Sequence, residues 1–195
     1  MLRCCLDLRV WLCFALVWLS VPWAHSQTLA PRLALCGACH GADGNSQIKD
    51  FPSLAGQPRV FLENQLVLIR EGMRDIPSMK GMLQGVSDAE ITALARHYAA
   101  QPVKASTAPA EAKLFERGRQ LSSEMRCGIC HLPEYQGREQ MPRLAGQRED
   151  YLLYSMRQFR TNQAVGRDTQ MAAALYGVSD DDLRAMAHFL ARVSP

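Results

Sequence analysis

The chain is written twice, and no other feature limits its fold so tightly. Cys36-Gly-Ala-Cys-His40 returns as Cys127-Gly-Ile-Cys-His131, an offset of 91 positions. Phe51-Pro-Ser-Leu-Ala-Gly-Gln57 returns as Met141-Pro-Arg-Leu-Ala-Gly-Gln147 at an offset of 90, and Gly85-Val-Ser-Asp88 as Gly177-Val-Ser-Asp180 at 92. Three blocks in one order, with offsets drifting by a single residue, mark tandem copies of one domain. Between them Gln101-Pro-Val-Lys-Ala-Ser-Thr-Ala-Pro-Ala110 has the composition of an extended linker. The expected organisation is a leader over 1–26, a first domain over 27–100, a linker over 101–110 and a second domain over 111–195.

The leader carries Arg3 and Arg9, then twelve apolar-rich residues over 10–21, then small residues at Ala24 and Ser26. That is the layout of a secretory signal peptide cut near Ser26, and the apolar run falls short of the ~20 residues a bilayer span needs. An exported, periplasmic location follows as an expectation. Cys4, Cys5 and Cys13 would leave with the leader, so the cysteines that remain are Cys36, Cys39, Cys127 and Cys130. Losing Arg3, Arg9 and Asp7 takes the formal charge from +3 to +2. A chain this close to neutral gives no sign of nucleic-acid binding, which rests on phosphate neutralisation.

Periodicity predicts an all-α fold. Ile91, Leu94, Ala95 and Tyr98 recur at helical spacing behind the cap Ser87-Asp-Ala-Glu90, as do Leu183, Met186, Ala187 and Leu190 behind Ser179-Asp-Asp-Asp182. Further helices are expected over 60–69, 151–159 and 112–121.

Cys-x-x-Cys-His is the attachment pattern of c-type haem. Two cysteines three apart share a face of one helical turn, so both sulfurs reach the vinyl groups of one porphyrin. The histidine that follows lies beneath the iron. Two alternatives compete. Zinc pairs of Cys-x-x-Cys usually stand ~15–20 residues apart, and dithiol oxidoreductases want a βαβ setting; here the pairs are far apart and the pattern is helical. Two haem c groups are therefore expected, tethered by Cys36 and Cys39 and by Cys127 and Cys130, with His40 and His131 on the iron.

A second axial ligand follows by subtraction, since methionine opposite histidine is typical of electron-transfer haems. Counting back from Ser87 and Ser179, Met79 and Met171 both lie eight residues upstream. Met82 matches Ala174, Met73 matches Val165 and Met186 matches Leu94, so one register alone puts methionine in both copies. Met79 and Met171 are the expected ligands, with Met82 in reserve for the first. His97 and His188 do not coincide between copies and read as surface or core residues. Pro52 and Pro142, twelve and eleven residues after the haem histidines, offer carbonyls for the other imidazole nitrogen. Arg70 and Arg160 are candidates for haem propionates or for a solvated helix face.

These residues resemble the cytochrome c4 family, dihaem class I cytochromes of the bacterial periplasm. The resemblance rests on Cys-Gly-Ala-Cys-His-Gly-Ala-Asp-Gly-Asn-Ser over 36–46, the two Pro-x-Leu-Ala-Gly-Gln stretches, Phe159-Arg-Thr-Asn162, Met79-Lys-Gly-Met-Leu83 and the two Val-Ser-Asp helices. It implies two tandem class I cytochrome c domains packed face to face, Met79 and Met171 as axial ligands, and electron delivery toward a respiratory terminal oxidase. Two departures stand out. Nine residues separate Ser26 from Cys36, which implies a truncated leading helix, and Leu132-Pro-Glu-Tyr135 replaces Gly-Ala-Asp-Gly after the second haem motif.

The expected function is a soluble periplasmic electron carrier and not an enzyme, because an iron with both axial positions filled offers no site to a substrate. Its partners would be redox proteins, with a quinol-oxidising complex or a dehydrogenase as donor and a terminal oxidase as acceptor. Peripheral association with the membrane is compatible with this. The alternatives are a haem enzyme, such as a dihaem peroxidase or an oxidant of sulfur compounds, and a cytochrome subunit held within a dehydrogenase complex.

Overall fold

A computed structural model describes residues 26–195; the leader before Ser26, with the expected cleavage point at its edge, lies outside them. Among the described residues the chain is helical, its one β feature an isolated bridge between Arg138 and Met141. The first half contains α1 (Ser26–His40), α2 (Arg59–Arg70), a 3-10 turn (Pro77–Met79) and α3 (Asp88–Ala99). The second contains α4 (Ala112–Glu124), α5 (Cys127–His131), α6 (Glu149–Arg160), α7 (Thr169–Leu175) and α8 (Asp180–Leu190). No described helix is long and apolar enough to cross a membrane.

The caps form as the sequence predicts, with one difference. Ser87 Oγ accepts from the Glu90 N–H while Glu90 Oε2 accepts from the Ser87 N–H, a closed capping box. In the second copy Ser179 Oγ accepts from the Asp182 N–H, but the shorter Asp182 accepts from Arg117 at 3.0 Å and fastens α4 to α8 instead. The cysteine motif also differs between copies. In the first it ends one continuous helix; in the second Arg126 turns into the left-handed region at φ 56°, so α4 and α5 are separate. The helix expected over 112–121 therefore continues to Glu124 before it breaks.

Each half has its own core. In the first, Leu83, Val86, Ile91 and Leu94 gather between α1, α2 and α3, with Leu62, Ala95 and Tyr98 alongside. In the second, Leu121, Leu152, Met156, Phe159, Leu183, Met186 and Leu190 form a larger cluster. Here α4 and α8 come close enough that Phe115 and Phe189 meet edge to face at 5.1 Å.

The two Leu-Ala-Gly-Gln turns clasp one another across the halves. The Arg143 N–H donates to Gln57 Oε1 and Gln57 Nε2 donates to the Arg143 carbonyl, both at 3.0 Å. The Ser53 N–H donates to Gln147 Oε1 at 2.8 Å and Gln147 Nε2 to the Ser53 carbonyl at 2.9 Å. Ser53 and Arg143 are matched positions, as are Gln57 and Gln147, so the clasp has twofold pseudosymmetry. The connecting segment, residues 101–110, carries no helix or strand and is fastened along its length. Val103 contacts the turns at Gly56 and Gly146. Asn45 accepts from the Lys104 N–H and donates to the Pro102 carbonyl, both at 3.0 Å, and the Ser106 N–H donates to Ala191 O. Its far end is held by His188, whose Nε2 accepts from the Glu111 N–H at 3.0 Å.

Candidate haem centres

Positions i, i+3 and i+4 of a helix share a face, and α1 and α5 put Cys36, Cys39 and His40, and Cys127, Cys130 and His131, on such faces. Both histidines are buried. His40 Nδ1 lies 2.9 Å from the Pro52 carbonyl and His131 Nδ1 lies 2.8 Å from the Pro142 carbonyl. A carbonyl only accepts, so Nδ1 carries the proton and the Nε2 lone pair is left free for another partner. Burial lowers both pKa values, against a smaller opposing pull from the proline carbonyls, and keeps the rings neutral as metal ligation requires.

His131 Nε2 is buried without a hydrogen-bond partner. An orphaned buried lone pair costs on the order of 1–3 kcal/mol unless something meets it, and an iron at that atom would. The residues therefore fit a haem. They do not fit the alternatives: burial pushes the Cys36 and Cys127 thiols up, opposite to the lowered pKa of a dithiol oxidoreductase. Among the described residues no cluster of three or more His, Cys, Asp or Glu side chains is arranged to hold an ion, as zinc would need.

Met79 ends the 3-10 turn and packs on the Leu83, Val86, Ile91 and Leu94 cluster, against which Cys36 also packs. Met171, in the first turn of α7, packs on the second core together with Met125 and Tyr135. Met82 is partly buried but is not among the residues packed on the first cluster. His97 and His188 are committed elsewhere. His97 Nε2 lies 3.5 Å from the Gln101 amide, while His188 uses both ring nitrogens, Nδ1 toward Glu149 and Nε2 toward Glu111.

Arg70 and Arg160 turn out to hold helices together. Arg70 donates to the Val86 carbonyl at 2.9 Å and pairs with Asp88 at 2.8 Å; Arg160 donates to Val178 O at 3.1 Å and pairs with Asp180 at 3.4 Å. Each ties the helix it ends to the start of the last helix in its half.

The substituted segment after the second motif keeps the backbone of the first. Gly41 and Gly44 have φ of 84° and 75°, and Leu132 and Tyr135 take 69° and 56° at the matched positions. Gly44 O accepts from the N–H groups of Leu54 and Ala55, and Tyr135 O from those of Leu144 and Ala145. Leu132, with ψ 159°, sits in a region that favours glycine and carries on the order of 1–3 kcal/mol of strain. The Gln57 and Gln147 clasp and the buried Arg143 were not identified from sequence, although the glutamines stand in both copies of a motif read there only as a turn.

Comparison with known proteins bears on these centres. The cytochrome c family model matches residues 115–194. Cytochrome c4 of Pseudomonas aeruginosa is 33% identical over 170 residues, covering 82% of this chain and 84% of the relative. A thiosulfate dehydrogenase electron acceptor of Thiomonas intermedia is 32% identical over 190 residues, 91% of this chain and 86% of that one. The crystal structure of reduced recombinant cytochrome c4 from Pseudomonas stutzeri superposes with a TM-score of 0.77 at 29% identity, covering 86% of this chain and 97% of that one.

Proposed function

The chain belongs to the cytochrome c4 family, c-type cytochrome electron carriers with covalently bound haem c, and we propose that it holds two such haems, one per copy. Cys36 and Cys39 tether the first and Cys127 and Cys130 the second. His40 and His131 would hold the iron through Nε2, and Met79 and Met171 would supply the second ligand in each copy. When bound, each haem supplies one-electron iron chemistry; the chain's own part is to fix the ligands and keep water out. The proline carbonyls hold each imidazole in one tautomer, and the buried rings exclude protonation that would compete with the metal. The observation that carries this reading is His131 Nε2, a buried lone pair with no partner in the polypeptide.

The protein acts after export, in the periplasm, accepting electrons from a dehydrogenase or quinol-oxidising complex and passing them to a terminal oxidase. A dehydrogenase donor is favoured because a relative aligned over most of the chain is named a thiosulfate dehydrogenase electron acceptor. Mixing the oxidised protein with that enzyme and thiosulfate should reduce it; no reduction would turn the search to quinol-oxidising donors.

The ligand assignment is tested by substitution. Met79→Ala and Met171→Ala should each retain both haems, lower the potential of one, and let that iron bind carbon monoxide. An unchanged spectrum for Met79→Ala would transfer the role to Met82.

A further inference from the structure

Three large apolar side chains stand exposed on one side of the seam between the halves. Met73, 52% exposed, belongs to the turn after α2; Val165, 72% exposed, to the turn after α6; and Tyr154, 51% exposed, to α6 itself. The two turns touch. Gly166, at φ 73°, lies so close to the first half that a Cβ there would collide with the Met73 carbonyl. The seam held by the glutamine clasp thus continues outward into an apolar patch that both halves supply.

Two guanidiniums frame this patch, one from each half. Arg74 donates to Gln65 Oε1 and, at 3.4 Å, to the Tyr151 hydroxyl, whose ring lies 6.5 Å from that of Tyr154. Arg167 lies over the Phe159 ring at 3.9 Å and donates to Ser155 Oγ. Burial lowers the Arg167 pKa to about 10; Tyr151 opposes this, and Arg74, from across the seam, adds to it. Among the described residues no carboxylate is paired with either arginine. The neighbouring acids do not answer them: Glu71 pairs with Arg70, Asp168 caps α7, and Asp75 is exposed and paired with neither. Two like charges held this way repel until an anion joins them, and uncharged acceptors satisfy their hydrogens without neutralising them.

Resting on the reading that the chain is a two-haem electron carrier, we infer that this patch docks the electron-donating partner, a protein whose own face presents carboxylates around an apolar centre. Methionine, aromatic and arginine side chains are the ones that protein interfaces favour at their centres. A small oxyanion would use the arginines and leave Met73, Val165 and Tyr154 uncovered. A second copy of the chain fits poorly, since a twofold contact on this patch would set arginines against arginines. The position suits electron delivery. Arg74 lies five residues before Met79 and Arg167 four before Met171, so a partner seated here meets the turns that lead to both proposed axial ligands.

The test uses the loaded full chain with Arg74→Glu, Arg167→Glu, Met73→Asp and Val165→Asp. Lys113→Glu on α4 makes the same kind of charge change outside the patch. Haem content and both potentials are measured first; fewer than two haems in the unsubstituted protein would overturn the two-haem reading, whereas the kinetics judge the patch by itself. The second-order rate of reduction by thiosulfate dehydrogenase with thiosulfate is then followed against ionic strength. Each arginine reversal should slow it about tenfold at low salt and flatten its salt dependence. Met73→Asp and Val165→Asp, at exposed positions that folding does not depend on, should slow it several-fold, and Lys113→Glu should leave it unchanged. Equal rates in all variants would overturn the docking site. So would slowing by the arginine variants alone, which would leave a small-anion site, and so would shifted potentials with unchanged rates, which would assign the arginines to the haems. If the enzyme does not reduce the unsubstituted protein, the donor named above fails, and photoreduced flavin mononucleotide, an anion, is compared with neutral lumiflavin. The arginine reversals should then lower the ratio of the two rates, and an unchanged ratio overturns the patch as the point of electron entry.

Discussion

Gln57 and Gln147 show how much a single side chain carries at the junction of the halves. Each satisfies a backbone N–H and a carbonyl belonging to the other half, at 2.8–3.0 Å and away from solvent. Gln57→Leu would preserve volume and leave both backbone groups of Arg143 unpaired, at ~1–3 kcal/mol each. We expect a loss of about 2–4 kcal/mol, seen in urea unfolding as one transition separating into two; a single transition with an unchanged midpoint would show the clasp to be energetically idle. The two Cys-x-x-Cys-His stretches proposed to hold haem were legible at this scale because covalent attachment demands a fixed pentapeptide. The clasp was not, because glutamine at a turn has many uses and its partner lies 86 residues away.

At the scale of elements, α4 and α8 depend on a glycine. A Cβ added at Gly118 would sit 2.0 Å from the Ala185 carbonyl oxygen. Alanine gains ~1 kcal/mol of helix propensity there, but overpacking against backbone costs ~1–3 kcal/mol. The clash should win, so Gly118→Ala is expected to lower the urea midpoint, whereas an exposed helix glycine would raise it. Periodicity and the Ser-x-x-acid caps located α2, α3, α6 and α8 in the sequence, each with a strong apolar stripe. The 3-10 turn and α7, three and seven residues long, are too short to show a period, and their placement comes from tertiary packing. The break at Arg126 was equally hidden, since a left-handed arginine leaves no compositional trace. Conversely, Leu132-Pro-Glu-Tyr135 looked like a departure from the first copy, yet the backbone there is retained at the expense of strain.

Across the whole molecule, acid should loosen what ion pairs tie. The hydrogen bond from Arg157, with Arg184 and Arg160 nearby, holds Asp180 down to about 2, and that from Lys104 does the same for Asp43 between linker and first half. A lowered carboxylate pKa contributes stability that is complete above the ordinary value of 3.8 and disappears as pH falls toward about 2. Stability should therefore decline through that window, and Asp180→Asn should flatten the decline when melting is followed against pH; an equally steep profile would assign it to other groups. The fastened connecting segment has a different consequence. Because Val103 is lodged between both turns and Asn45 grips the backbone beside it, the halves have no hinge about which to swing. On the proposed reading, electron exchange inside the molecule needs no diffusive search. Its rate, followed by flash photolysis of the half-reduced protein, should be indifferent to added glycerol, while delivery to an outside partner slows as the solvent thickens.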